Sequence, residues 1–199
     1  SSNASYIIAG TEKYTQKALN CYKNLKCIYR IGSGFDNIPI EILKKNKIKF
    51  YKSKITPEKA VAELIVGYII ILYRNIISHN ENLKNKVWKK EMGSLVFGKT
   101  VGIIGFGRVG KYLKKLLSNF GVKILINDFK LSKIDNSNIN KILKNSDIVT
   151  VNTSLINTKK ILDKKKLSLL NKRSLLINTS RSEAIDYKYL FYLLKNNKI

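Results

Sequence analysis

The chain has 199 residues, with 38 lysines and arginines against 13 acids and a formal net charge of +25. That length can bury one good core or two small domains sharing a boundary. Its most apolar run, Leu64–Leu72, is too short to cross a bilayer, which takes about 20 residues.

Ser1–Ala4 reads as an expression-tag remnant, and no charged and apolar leader follows it. Tyr6–Ala9 is expected as a strand ending at Gly10, Thr15–Tyr22 as a helix, and Lys26–Ile31 as a second strand closed by Gly32–Ser33–Gly34. Ile38–Asn46 has helical spacing, with Pro39 suited to a first turn, and Ile48–Tyr51 is a third strand. This β-α-β-α-β alternation predicts a parallel sheet of its own. Cys21 and Cys27 have no further Cys or His at ligand spacing, so free thiols in a reducing compartment, the cytoplasm, are expected.

Thr56–Pro57–Glu58 opens a helix with a cap, a proline and an acid. It is expected to run to about Ile77, apolar round much of its circumference, as suits a domain junction or a subunit contact. Ser78–Phe97 is polar and reads as an irregular linking arm anchored by Trp88, with His79 exposed.

Thr100–Ile104 is a short β-branched run of the kind that forms a strand covered on both faces. Gly105, Gly107 and Gly110 follow with G-x-G-x-x-G spacing. The first suits a tight turn, the second a close approach by pyrophosphate, and the third close packing of helix on strand. Val109, Leu113, Leu116, Leu117 and Phe120 share one helical face, and Gly121 is a stop signal. Val122–Asn127 is the next strand, ending at Asp128, about where an acid would hold a ribose hydroxyl. A carboxylate there favours NAD over NADP, with Arg108 and Lys130 nearby weakening the preference. Glycines that serve packing alone are the alternative.

Past Asp128 come a polar loop at Leu131–Asn138, a helix at Ile139–Lys144, a strand at Asp147–Asn152 and a loop at Thr153–Leu162. A short helix at Lys164–Leu170, a strand at Ser174–Asn178 and a helix at Asp186–Lys195 follow, the last with Leu190, Phe191 and Leu194 inward. The fold class is α/β: a Rossmann-type doubly wound parallel sheet over residues 75–199 plus a smaller flavodoxin-like α/β substrate domain over 1–74, both reading as truncated.

The lysine excess is scattered over every segment of a chain also rich in Asn, Ile and Tyr, residues that A/T-rich codons favour together. A nucleic-acid surface concentrates arginine and aromatic residues on one face. A solvated lysine coat is therefore expected, with neither nucleic acid nor membrane as partner.

The motifs together resemble one family, the D-isomer-specific 2-hydroxyacid dehydrogenases, and within it the D-3-phosphoglycerate dehydrogenase branch. The residues that carry the likeness are Arg30–Asn37, Val61–Ala62–Glu63, Gly98–Lys99–Thr100 running into Gly105–Gly110, Asp147–Val151 and Ile177–Arg181. The resemblance implies two α/β domains with NAD and a small anionic 2-hydroxy or 2-oxo acid in the cleft between them, in a homodimer built on the Ala60–Ile77 helix and the arm after it. It assigns Gly32, Ser33 and Gly34 to the substrate and Arg30 to a substrate phosphate; a tight turn and a surface ion pair are the plainer readings. It assigns Ser53, Gly105, Gly107, Arg108, Val109, Gly110, Asp128, Thr153, Thr179, Ser180 and Arg181 to the cofactor. Arg181 resembles the catalytic arginine that binds the substrate carboxylate and polarises the carbonyl, a task suited to a permanently charged fork; pairing with a structural acid is the alternative.

The family's glutamate and acid–base histidine have no counterpart among these residues. Ser182 stands where a glycine is usual and Ser154 where a proline is. An inactive dinucleotide-binding regulatory protein is therefore the rival expectation.

Overall fold

A computed structural model describes residues 3–32, 34–129, 131, 137–153 and 160–199. The chain divides into two compact units, Ser1–Pro57 and Glu58–Ile199. Ser1, Ser2, Ser33, Lys130, Ser154 and most of the loops expected at 131–138 and 153–162 lie outside the described residues.

In the first unit, β1 (Tyr6–Ala9), β2 (Cys27–Arg30) and β3 (Lys49–Lys52) form a parallel sheet in the order β1-β2-β3. Helices α1 (Gln16–Asn20) and α2 (Ile40–Lys45) make the crossovers. The Thr15 hydroxyl caps α1 by accepting the Ala18 N–H, as a first-turn amide requires. Alternation sends Ile7, Ala9, Ile28 and Phe50 to one face, where they pack with Leu19, Leu25, Ile38 and Leu43. Tyr6, Ile8, Tyr29 and Tyr51 stand exposed on the other face.

The second unit begins with α3 (Glu58–Tyr73) and α4 (Ile76–Lys84). The expected single helix to Ile77 is broken: Asn75 is left-handed at φ 52°, its amide donates to the Met92 carbonyl, and the two helices meet at a 64° bend. Part of the arm expected to be irregular is thus helical. Glu91 holds it, accepting the Ser78 hydroxyl at 2.7 Å and pairing with Lys89 at 3.4 Å. His79 is half-buried rather than exposed, because its Nε2 donates to the Glu91 carbonyl at 3.0 Å. Trp88 is no anchor; it is 91% exposed.

Four parallel strands follow, β4 (Thr100–Ile104), β5 (Lys123–Asn127), β6 (Ile148–Val151) and β7 (Leu175–Asn178), in the order β5-β4-β6-β7. Ala62, Ile65 and Ile69 of α3 and Leu113 and Leu117 of α5 (Arg108–Leu117) cover one face, packing on Val101, Ile103, Ile148 and Ile177. Each buried leucine, isoleucine or valine of this layer contributes about 2 kcal/mol. The other face is covered by α6 (Ile139–Asn145), α7 (Lys164–Leu167) and α8 (Tyr187–Lys195) through Ile142, Leu143, Leu167 and Leu193. This packing counts α3 with the second unit, whereas the sequence placed it with the first.

Helix α8 presents a different face from the expected one. Asp186 caps it by accepting the Tyr189 N–H. Leu193 is then buried and Leu190 half-buried three positions earlier, while Phe191 and Leu194 turn outward.

Candidate functional site

The register of the four-stranded sheet aligns Asn127, Ile104, Val151 and Asn178 in one row. The chain leaves each strand just beyond that row. Asp128, Gly105, Asn152 and Thr179 are therefore neighbours along the end of the sheet where all four strands finish. Three strand spacings make that row about 14 Å long.

Each glycine of the turn meets a separate steric demand. Gly105 has φ +96°, and a Cβ there would lie 2.7 Å from the Thr153 main-chain nitrogen. A Cβ on Gly110 would run into the Gly105 carbonyl oxygen, so α5 starts directly against the turn. Gly107 is the cap residue of α5, and a Cβ there would meet nothing within 4 Å. Open space therefore faces the first turn of a ten-residue helix whose cap has no side chain. First-turn amides and the helix dipole make such a place receptive to phosphate. Arg108 and Val109 lie in that turn, Arg108 exposed and Val109 half-buried.

Asp128 turns toward the glycines. Its Oδ2 accepts the Phe106 N–H at 2.6 Å, and the residue is half-buried. The carboxylate thus stands beside the turn on the neighbouring strand, where an acid can receive ribose hydroxyls.

Beyond β6 and β7 the side chains interlock. The Thr179 hydroxyl lies 2.9 Å from Asn152 Oδ1, and Asn152 Nδ2 donates to the buried Thr150 hydroxyl at 3.0 Å. Asn178 Oδ1 accepts the Ser180 N–H at 3.0 Å, and Nδ2 donates to the Arg181 carbonyl at 2.8 Å and the Tyr187 hydroxyl at 3.1 Å. Arg181 Nη1 donates to the Ser180 carbonyl at 3.2 Å. The Ser180 hydroxyl is buried with no hydrogen-bond partner among the described residues. Asn152 and Asn178 were not among the expected site residues. The signal for both was a polar amide at the end of a buried strand.

The first unit treats its expected residues differently. Arg30 is 8% exposed, and its Nη1 donates to the Ala9 carbonyl at 3.4 Å and to the Ile31 carbonyl. Its guanidinium lies over Gly32, which has φ +129°, and a Cβ there would stand 3.1 Å from Nη1. Arg30 Nε is buried and has no partner among the described residues. The Ser53 hydroxyl donates to the Ile55 carbonyl at 2.7 Å, and the Ser53 N–H to the Arg30 carbonyl at 2.9 Å. Gly34 is half-buried, and Ser33 is outside the described residues. Among the described residues no group of three or more His, Cys, Asp or Glu side chains is placed to hold a metal ion.

Comparison with known proteins covers the same segments. Residues 66–199 match the family model described as D-isomer specific 2-hydroxyacid dehydrogenase, NAD binding domain, and residues 2–100 match the catalytic domain of that family. D-3-phosphoglycerate dehydrogenase of Methanocaldococcus jannaschii is 30% identical over 206 residues, which cover 97% of this chain and 39% of that protein. Hydroxypyruvate reductase of Thermotoga maritima is 28% identical over 200 residues, covering 97% of this chain and 65% of that protein. The chain thus spans less than two thirds of the length of either relative. The apo-structure of D-lactate dehydrogenase from Escherichia coli superposes with a TM-score of 0.89 at 23% identity, over 100% of this chain and 67% of that one, which establishes the fold.

Proposed function

The chain belongs to the D-isomer specific 2-hydroxyacid dehydrogenase family, and from that premise we propose that the protein is an oxidoreductase for a small 2-hydroxy or 2-oxo acid. The observation that carries this reading is the row itself: acid, glycine turn, asparagine and threonine side by side where the strands end, with Arg181 two residues beyond Thr179. NAD, when bound, would accept the hydride from a 2-hydroxy acid or, as NADH, give it to the carbonyl carbon of a 2-oxo acid. The remaining work falls to the protein's own groups.

The open first turn of α5 receives the pyrophosphate through main-chain N–H groups, with Gly107 and Val109 at the contact and Arg108 adding positive charge. Gly105 and Gly110 keep turn and helix close enough for that approach. Asp128, one oxygen already holding the Phe106 amide, directs its carboxylate to the adenosine ribose and disfavours a 2′-phosphate there. Thr153, Thr179 and Ser180 line the far end, toward the nicotinamide.

Arg181 binds the substrate carboxylate and polarises the reacting carbonyl, because a charged fork stabilises oxygen charge as it develops. Within the first unit, Arg30, Gly32, Ser33 and Gly34 are the candidates for binding the acid, and Ser53 is the candidate for a cofactor contact, as the resemblance assigns them. Arg30 Nη1 is committed to the Ala9 and Ile31 carbonyls, so a phosphate would be met through the Nε and Nη2 edge of the guanidinium. The relatives named for phosphoglycerate and hydroxypyruvate suggest those two acids as substrates to try. A homodimer through α3 and the arm belongs to this reading, as does a cytoplasmic location, in keeping with the free thiols of Cys21 and Cys27.

NADH titration followed by cofactor fluorescence, then a hydroxypyruvate reduction assay of the full-length protein, tests the proposal. Saturable binding with turnover supports it. Binding without turnover of hydroxypyruvate or 3-phosphoglycerate favours the regulatory alternative, and absence of binding removes both.

A further inference from the structure

We infer that Asn178 is a positioning residue for Arg181, a role that rests on reading Arg181 as the group that holds the substrate carboxylate. Asn178 is the last residue of β7, and its side chain bonds both flanks of the turn that follows. Oδ1 accepts the Ser180 N–H at 3.0 Å, and Nδ2 donates to the Arg181 carbonyl at 2.8 Å. The second amide hydrogen serves the Tyr187 hydroxyl at 3.1 Å, at the start of α8. Both donors of the amide are therefore committed.

The effect reaches the guanidinium by two routes. Arg181 leaves the turn with extended backbone, φ −133° and ψ 151°, and Asn178 clamps its carbonyl together with the Ala184 N–H at 3.2 Å. The Arg181 guanidinium in turn donates to the Ser180 carbonyl at 3.2 Å. Asn178 thus holds the nitrogen of the residue whose carbonyl seats the charged group. A small rotation of that turn is magnified along the arginine side chain.

The residue type follows from the geometry. Aspartate keeps the acceptor for Ser180 but sets a carboxylate oxygen against the Arg181 carbonyl. Alanine releases every partner.

The test uses the full-length protein with NADH and hydroxypyruvate. Asn178→Ala and Asn178→Asp are expected to lower kcat/KM by about 30- to 100-fold, the scale on which an ångström of misplacement acts. The Kd for NADH should rise much less, by under about 10-fold, since the pyrophosphate and ribose contacts lie on other strands and only the nicotinamide end, at Thr179 and Ser180, adjoins this turn. Should the alanine variant fail to fold, the aspartate variant carries the test, because it retains the Ser180 bond. A folded variant with kcat/KM within about 3-fold of wild type overturns the inference, as does a loss of NADH affinity as large as the loss of kcat/KM. Arg181→Lys separates the two levels. If it is inactive while Asn178→Asp is normal, only the positioning role fails; if it is fully active, the reading of Arg181 fails and takes this role with it.

Discussion

Asp128 and Phe106 are joined across two strands: the carboxylate that ends β5 accepts the main-chain N–H of the residue after the first motif glycine, at 2.6 Å. Acid and turn are one mechanical piece. Hydrogen bonds to a charged group are worth about 1.5–3 kcal/mol, so Asp128→Ala should weaken NADH binding by about 10-fold or more. It should also lower stability, since the Phe106 amide loses its acceptor. Fluorescence titration reads the first effect and chemical denaturation the second. A Kd within about 3-fold of wild type would contradict the ribose assignment.

The three motif glycines predict three different phenotypes. Gly107→Ala points its new methyl into open space, so stability should change by less than about 0.5 kcal/mol while NADH affinity falls. Gly110→Ala drives a methyl against the Gly105 carbonyl and should cost about 1–3 kcal/mol. Gly105→Ala adds a disfavoured φ of +96° to a clash with Thr153 and should be the least stable. Thermal melts with and without NADH separate these outcomes. A Gly107→Ala protein that binds NADH normally would show that the space in front of α5 is not used.

Asp186 predicts an acid-dependent stability. The hydrogen bond from Lys160, then that from the Tyr189 N–H, hold its carboxyl below the usual aspartate range. A carboxyl depressed in the folded state stabilises fully at neutral pH, and that stabilisation fades as pH falls below about 4, through the folded value. Asp186→Asn keeps a capping oxygen and loses the ion pair. It should be less stable than wild type at pH 7, with the gap closing on acidification. Denaturation curves at pH 7 and pH 3 check this, and a gap that widens in acid would reverse the sign.

The proposed homodimer has a concrete surface. Leu64, Tyr68 and Leu72 are exposed at 49%, 42% and 48% and recur every four residues along α3, so they form one apolar stripe. Light scattering of the full-length protein should give twice the chain mass, and Leu64→Glu combined with Leu72→Glu should give monomers that still bind NADH. An unchanged mass in that double variant would move the interface elsewhere.

What the sequence disclosed was local. The strand, turn and helix around Gly105 could be read because the glycine spacing and the strand and helix that flank it are contiguous in sequence, even though the clash that fixes Gly105 comes from distant Thr153, and the spacing of Leu113 and Leu117 showed the buried face of α5 directly. What stayed hidden depended on distant partners. The break at Asn75 needs the Met92 carbonyl, and α4 in a polar stretch needs Glu91 to gather Ser78 and Lys89. The inward face of α8 was misjudged because the Asp186 cap and the core it meets, rather than hydrophobicity, decide which leucine points in. Arg30 read as a ligand for a substrate phosphate or as half of a surface ion pair, yet its strand position turns it toward the covered face of the first sheet, where Nη1 bonds main-chain carbonyls.

Gly102 lies outside the turn, in the middle of β4, yet a methyl there would collide with the Ile142 side chain and come within 2.7 Å of the Ser146 hydroxyl. Helix α6 is seated on bare backbone at that point. A loss-of-function screen of this gene would therefore score Gly102 as severely as the glycines that face the nucleotide, although no ligand approaches it. Only assays that separate the amount of folded protein from the activity of each molecule would tell an intolerant foundation from a working surface.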